Sequence, residues 1–125
     1  MSDKLHPKAL GALGESLAAD YLSDHGYRIL ERNWRWTRGE LDLIAEKDGE
    51  IIFVEVKARR SHRYGTPQDA VTRAKQHKLI NSAYAYLENS DRHHSPWRID
   101  VVALDLRNDG QVKRLDHIED AVRGN

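Results

Sequence analysis

Asp42, Glu55 and Lys57 are the residues whose types and spacing could do chemistry together. They lie in two β-rich runs, Glu40 to Lys47 and Glu50 to Ala58, joined by Asp48-Gly49, a strong two-residue hairpin signal. Such a turn fixes the register so that paired residue numbers sum to 97, which sets Asp42 opposite Glu55 and Glu40 opposite Lys57. The period of two puts all four on one face of the sheet. Like charges directly opposite one another are destabilising, and the second strand otherwise reads as buried on both sides, with Ile52, Val54, Val56 and Ala58 on one face and Ile51 and Phe53 on the other. Either Lys57 neutralises the carboxylates at a strand end near solvent, or a divalent cation sits between Asp42 and Glu55. Two carboxylates, the backbone carbonyl of Val56 and waters are the hard oxygen ligands that Mg²⁺ or Mn²⁺ accepts. A lysine two residues on can orient or help deprotonate a bound water, so acid, acid and lysine together make a phosphodiesterase centre.

Other elements must position this hairpin. Leu10, Leu13, Leu17, Tyr21 and Leu22 recur at helical spacing ahead of His25-Gly26, which predicts an amphipathic helix from about Lys8 to His25. Tyr27 to Trp36 reads as a strand preceding the hairpin, and Arg59 to Gly65 as a basic loop following it. Thr66-Pro67-Gln68-Asp69 carries a capping hydroxyl, a proline at the first helical position and a carboxylate three residues after the cap, which opens a second helix running to about Leu87. A polar linker, Glu88 to Pro96, leads to a strand from Trp97 to Leu106, a turn at Asn108-Asp109-Gly110, and a short closing strand from Gln111 to Ile118. The order helix, three strands, helix, two strands predicts an α/β domain with a central mixed sheet flanked by helices.

With 125 residues, 39% hydrophobic and 32% charged, the composition is that of one globular domain able to bury a core without staples. A single domain over 1–125 is expected, with its core from about 8 to 118. The absence of Cys removes disulfides, Cys-type zinc sites and thiol nucleophiles, and suits a reducing, cytoplasmic setting. Apolar runs such as Ile51-Ile52-Phe53-Val54 are too short to cross a bilayer, and Met1 to Pro7 lacks the apolar region of a secretion signal, so no membrane partner is expected. Twenty Lys and Arg balance 20 Asp and Glu, so attraction to nucleic acid must come from local clustering. Between Val56 and Ile80 seven basic residues stand against Asp69 alone, next to a block from Glu40 to Glu55 in which six acids face Lys47 alone.

The arrangement Gly39-Glu40-Leu41-Asp42 … Glu55-Val56-Lys57 resembles the PD-(D/E)xK nuclease superfamily, with Leu41 where the name-giving proline would stand, a proline many members lack. Together with Gly14-Glu15, Asn33, Phe53-Val54, Gly65-x-Pro67, Lys75 and Arg98-Ile99-Asp100-Val101-Val102, it resembles the YraN family, a bacterial group described as endonucleases similar to archaeal Holliday junction resolvases. The likeness runs from about Leu10 to Leu106. It implies a restriction-endonuclease-like core in which Asp42 and Glu55 bind the metal, Glu15 from the first helix completes the site, and Lys57 assists the attacking water. It also implies that a polar residue on the second helix, here Lys75, points at the scissile phosphate.

On their own residues, Glu15 sits at the edge of the first helix's apolar arc beside Ala18 and Leu22, where it either leans over the sheet or is solvated. Lys75 shares a helical stripe with Val71, Leu79 and Tyr86, as a snorkelling stem or as a phosphate clamp. Glu40 is a candidate partner of Lys57, and Asp100 reads as a structural pair with an arginine. Arg59, Arg60, His62, Arg63 and Tyr64 form a basic loop suited to contacting a phosphate backbone. Trp34 and Trp36 alternate with Arg35 and near Arg38, a pattern that stacks on unpaired bases or packs in the core, with one tryptophan expected in each role. The seven His show no metal-ligand spacing. The expected function is metal-dependent cleavage of nucleic acid, DNA ahead of RNA, with branched or junction DNA as a candidate substrate and a two-fold dimer suited to cutting both strands of a symmetric junction. Two other classes stay open: a catalytically dormant nucleic-acid-binding module, and an interaction protein whose carboxylates and Lys57 form a structural ion network.

Overall fold

A computed structural model describes residues 6–60 and 71–122. The chain runs α1 (Pro7–Asp24), β1 (Arg28–Trp36), β2 (Gly39–Lys47), β3 (Glu50–Arg59), α2 (Arg73–Asn89), β4 (Trp97–Leu106) and β5 (Val112–Val122). The five strands form one mixed sheet in chain order. β1, β2 and β3 are an antiparallel meander, β3 and β4 are parallel, and β4 and β5 are antiparallel. Parallel neighbours need a crossover, which α2 supplies. This αβββαββ layout is the one expected from the sequence and is consistent with a restriction-endonuclease-like fold.

Two apolar layers sandwich the sheet. On one face Ala18, Ala19 and Leu22 of α1 pack with Leu43, Ala45, Ile52, Val54, Val102 and Leu104. On the other, Leu79, Ala83, Tyr86 and Leu87 of α2 pack with Ile44, Ile51, Phe53, Ile99 and Val101. The double-sided burial explains the near-continuous apolar run of β3. Gly14 lets α1 approach the sheet closely, because a Cβ there would lie 2.5 Å from the Cβ of Ala58. No helix among the described residues is long and apolar enough to cross a membrane.

The hairpin obeys the register read from its turn. Asp48 and Gly49 take φ +52° and +81°, the left-handed pair that matches strand twist, and the pairs run from Lys47↔Glu50 to Leu43↔Val54. Two boundaries differ from the sequence reading. α2 begins at Arg73, because Thr72 has extended backbone (φ −66°, ψ 163°) and its hydroxyl accepts the Lys75 N–H. The cap pattern at Thr66-Pro67, which lies outside the described residues, therefore does not open this helix. β5 continues to Val122 rather than stopping at Ile118. Asp120 adopts φ +52° there and donates its N–H to Asp100, which carries the strand across an irregularity so that Val122 is buried beside Ile99.

Candidate functional site

The site forms where the β2–β3 ladder stops. Beyond Leu43↔Val54 no further Cα pair joins the strands, and the Asp42 carboxylate accepts the Val56 N–H at 2.9 Å. A side-chain oxygen thus satisfies a donor that a strand carbonyl would otherwise take. The alternation of β2 breaks at the same point: Leu43 belongs to the α1-side core and Leu41 to the α2-side core.

Asp42 is brought against Glu55, which is only 4% exposed. Burial first, and then the Glu55 charge, pushes the Asp42 carboxyl up to about 8, against the Val56 N–H, which favours the ionised form. Two lysines converge on one oxygen of Glu55: Lys75 Nζ at 2.6 Å and Lys57 Nζ at 3.8 Å. Lys75 is held in place by its own backbone, since its N–H is the one that Thr72 caps at 3.2 Å. The lysines separate electrostatically. Burial followed by the charge of Lys75 lowers the Lys57 amine, whereas at Lys75 burial is outweighed by the bond to Glu55 and its charge, which raise it.

Glu15 reaches the rim of this cluster. Burial raises its carboxyl, a hydrogen bond with Asn33 lowers it, and the charges of Glu40 and Glu55 raise it further. Glu15 is thus half-buried at the edge of α1, bonded to Asn33 and within reach of the charges of Glu40 and Glu55. Asn33 itself takes φ +52°, a conformation that asparagine tolerates better than most residues.

A cleft of about 660 Å³ opens over the pair, walled by Arg35, Trp36, Arg38, Thr72, Lys75 and Lys78 and lined also by Glu40, Asp42 and Glu55. Among the described residues no three His, Cys, Asp or Glu group closely enough to hold a metal by themselves. A cation here would therefore rest on Asp42 and Glu55 completed by main-chain, water and substrate oxygens, the mode Mg²⁺ uses when bound by one or two carboxylates.

Several expected placements do not hold. Glu40 pairs not with Lys57 but with Arg35, its neighbour across β1, at 3.3 Å, because the ladder that would have set Glu40 opposite Lys57 ends at Leu43. Arg59 is the last residue of β3 rather than part of a loop, and its guanidinium lies 3.6 Å from Asp105 on the adjoining strand. Arg60 follows it, and His62, Arg63 and Tyr64 lie outside the described residues. Trp36 and Arg38 do line the cleft, while Trp34 packs edge-on against Tyr86 at 5.4 Å in the α2-side core. Lys78 and Thr72 were not singled out by sequence, and Arg35 only as one of the arginines interleaved with Trp34 and Trp36. Lys78 was findable, being one helical turn beyond Lys75. Asp100, expected to pair with an arginine, does so with Arg98 at 2.9 Å, and it also bonds His117 at 2.8 Å.

The sequence model of the uncharacterised protein family UPF0102 matches residues 14–104, a span that holds Glu15, Asp42, Glu55, Lys57 and Lys75. A UPF0102 protein of Trichlorobacter lovleyi is 49% identical over 115 residues, covering 91% of this chain and 90% of its own. One from Rhodococcus opacus is 47% identical over 116 residues, 93% of this chain and 98% of its own. One from Symbiobacterium thermophilum is 46% identical over 106 residues, 85% of this chain and 90% of its own.

Proposed function

The chain belongs to the UPF0102 family, and from that footing we propose that it is a metal-dependent endonuclease that hydrolyses phosphodiester bonds of nucleic acid, DNA ahead of RNA. The observation that carries this reading is the convergence of Lys57 and Lys75 on Glu55 beside Asp42, with Asp42, Glu55 and Lys75 lining a cleft rimmed by Arg35, Arg38 and Lys78. The resemblance of the same residues to the PD-(D/E)xK nucleases and the YraN group supports it, and extends it to branched or junction DNA and to a two-fold dimer for symmetric substrates. The lack of Cys suits action in the cytoplasm.

The donor set fits a hard divalent cation. Asp42 and Glu55 are adjoining carboxylates, with burial and then the Glu55 charge raising Asp42, and Glu15 stands at the rim; the Val56 main-chain oxygen would be a further ligand. These residues would hold Mg²⁺ or Mn²⁺, which supplies Lewis-acid charge for a phosphoryl oxygen and makes a bound water more acidic. Lys57, whose amine gives up its proton more readily than an ordinary lysine, takes a proton from the attacking water at Nζ. Lys75 keeps its charge and stabilises the negative charge added to the phosphoryl oxygens. Arg38 and Lys78 hold the flanking phosphates at the cleft wall.

The 2.6 Å Lys75–Glu55 pair also favours a second reading, a structural ion network without catalysis. Two measurements separate them. Ligand binding to the folded state must raise the melting temperature, so millimolar Mn²⁺ is expected to stabilise the wild type and to leave Asp42→Asn unmoved. Folded Asp42→Ala and Glu55→Ala proteins are expected to lose cleavage of a mixed duplex, branched and single-stranded substrate set by about a hundredfold or more. Wild-type cleavage rates in both variants would sink the enzymatic reading.

A further inference from the structure

Two tryptophans two residues apart on β1 have different surroundings. Trp34 is spent on the core against Tyr86. Trp36 instead stands between two hollows: the cleft over Asp42 and Glu55, and an adjoining hollow of about 360 Å³ lined by Trp36, Arg38, Asn81, Tyr84, Ala85 and Glu88. Its indole is fixed by its edge. Trp36 Nε1 donates to Ser82 Oγ at 2.8 Å, and Ser82 is 1% exposed. Room for that bond depends on Gly39, where a Cβ would lie 2.8 Å from Ser82 Oγ and 3.4 Å from Trp36 Nε1. The polar end of the ring is thereby anchored to α2 while its body borders both hollows, and the exposed ring of Tyr84 lies along the second one.

An immobilised indole beside cationic groups is the arrangement that binds unpaired nucleotides, because every base has a face to stack and every link a phosphate to neutralise. Arg38 lines both hollows and Lys78 lines the cleft, and neither makes an ion pair among the described residues. A base inside a duplex has both faces covered by its neighbours, so one lying on Trp36 must have left the stack.

We propose that Trp36, locked over Gly39 by Ser82, is a stacking platform for an unpaired base next to the bond that is cut, so that the substrate class is nucleic acid with a single-stranded segment threading from the Asp42–Glu55 cleft past Arg38 toward Tyr84. The inference rests on the nuclease reading for the word "cut" only; the binding it describes does not need hydrolysis.

The test is equilibrium binding in EDTA, where hydrolysis is suppressed. The probes are a single-stranded oligonucleotide, the blunt duplex of the same sequence, and the same single strand with its central bases replaced by abasic sites. The wild type is expected to bind the single strand about tenfold or more tightly than the duplex, and to lose about tenfold on the abasic strand. Trp36→Ala should bind the two single strands alike, because the base then has nothing to stack on. Tyr84→Ala, on an exposed ring away from the Ser82 anchor, should give a smaller loss and guards against misfolding of the Trp36 variant. Equal affinity for single strand and duplex, or no penalty for the abasic strand on the wild type, overturns the proposal. A protein that stacks in EDTA but never cuts with metal keeps this inference and loses the nuclease reading. One that cuts duplex without any single-strand preference does the reverse.

Discussion

Two acidic clusters on one sheet, Asp100 with its partners and the Asp42–Glu55 pair, are treated in opposite ways. Asp100, on β4, is 0% exposed and fully compensated. Arg98 reaches it at 2.9 and 3.3 Å, His117 at 2.8 Å, and the Asp120 N–H at 2.9 Å. Burial alone would raise its carboxyl, but the bonds from His117 and Arg98 and the Asp120 N–H hold it below the ordinary value. Arg98 is shared onward to Glu50, Glu119 and the Tyr27 hydroxyl, and His117 to the Tyr21 hydroxyl, so the network ties β3, β4, β5, α1 and the residue before β1 together. Asp42, with Glu55 against it, has one main-chain donor of its own and a neighbour of like charge, and its carboxyl is pushed up. Buried charge that is paired and hydrogen-bonded is structural; buried charge left short of positive partners is where a cation or phosphate chemistry fits. The comparison makes the Asp100 cluster the internal standard for a structural network in this protein.

The largest effect should fall on the structural side. Asp100→Asn keeps the shape but removes the charge that Arg98 and His117 share, and breaking a buried pair from one side costs about 3–5 kcal/mol. Urea unfolding in EDTA should show that loss, while Asp42→Asn, whose amide oxygen can still accept the Val56 N–H, should be neutral or stabilising because it relieves the repulsion from Glu55. Comparable losses in both variants would break the distinction between the two clusters.

The same contrast should appear, at smaller amplitude, as opposite dependence on pH. Asp42 binds its proton more tightly folded, at about 8, than its ordinary value of 3.8. Its contribution is therefore fully present below about 4 and is lost as pH rises through about 8. Asp100 binds its proton less tightly folded than its ordinary 3.8, so its contribution is present above that value and is lost as pH falls below it. The stability difference between each Asn variant and the wild type, followed from pH 3 to about 9 in EDTA, should thus change mainly above about 4 for Asp42 and mainly below about 4 for Asp100. Saturating Mn²⁺ should flatten the Asp42 slope and leave that of Asp100 in place. A single slope shared by both variants would mean that their carboxylates are compensated alike.

Much of the candidate site was legible because it is local. The Asp48-Gly49 turn dictates a register as far as Leu43↔Val54, one residue short of the two carboxylates, and the helical spacing of Lys75 and Leu79 puts a lysine on the face that α2 turns to the sheet. What failed was extrapolation: Glu40 against Lys57 assumed a ladder that ends three residues earlier, where the Asp42 side chain replaces a strand bond. The start of α2 was misjudged because Thr66-Pro67 and Thr72 both carry capping chemistry and only the backbone at Thr72 decides. Of the Asp100 network only the arginine partner was legible, since Tyr21, Tyr27, His117 and Glu119 come from elements spread along the chain, and nothing in their spacing announces that they meet.

Glu15 tests the boundary of the under-compensated cluster, with the smallest expected effect. Its charge is the weakest of the named influences on Asp42, behind burial, Glu55 and the Val56 N–H, and its own carboxyl is held partly by Asn33. Glu15→Gln preserves a side chain that can bond Asn33 and deletes only the charge, so folding stability should change by less than about 0.5 kcal/mol. Metal affinity, read as the Mn²⁺ concentration giving half the rise in melting temperature, should weaken about tenfold, the scale for a group that supports ligands from beside them. A loss as complete as that of Asp42→Asn would put Glu15 in direct contact with the cation, and would move the edge of the site from the sheet onto α1. No change at all would confine the site to β2, β3 and α2 and return Glu15 to the helix surface, where its bond to Asn33 serves the turn of β1 alone.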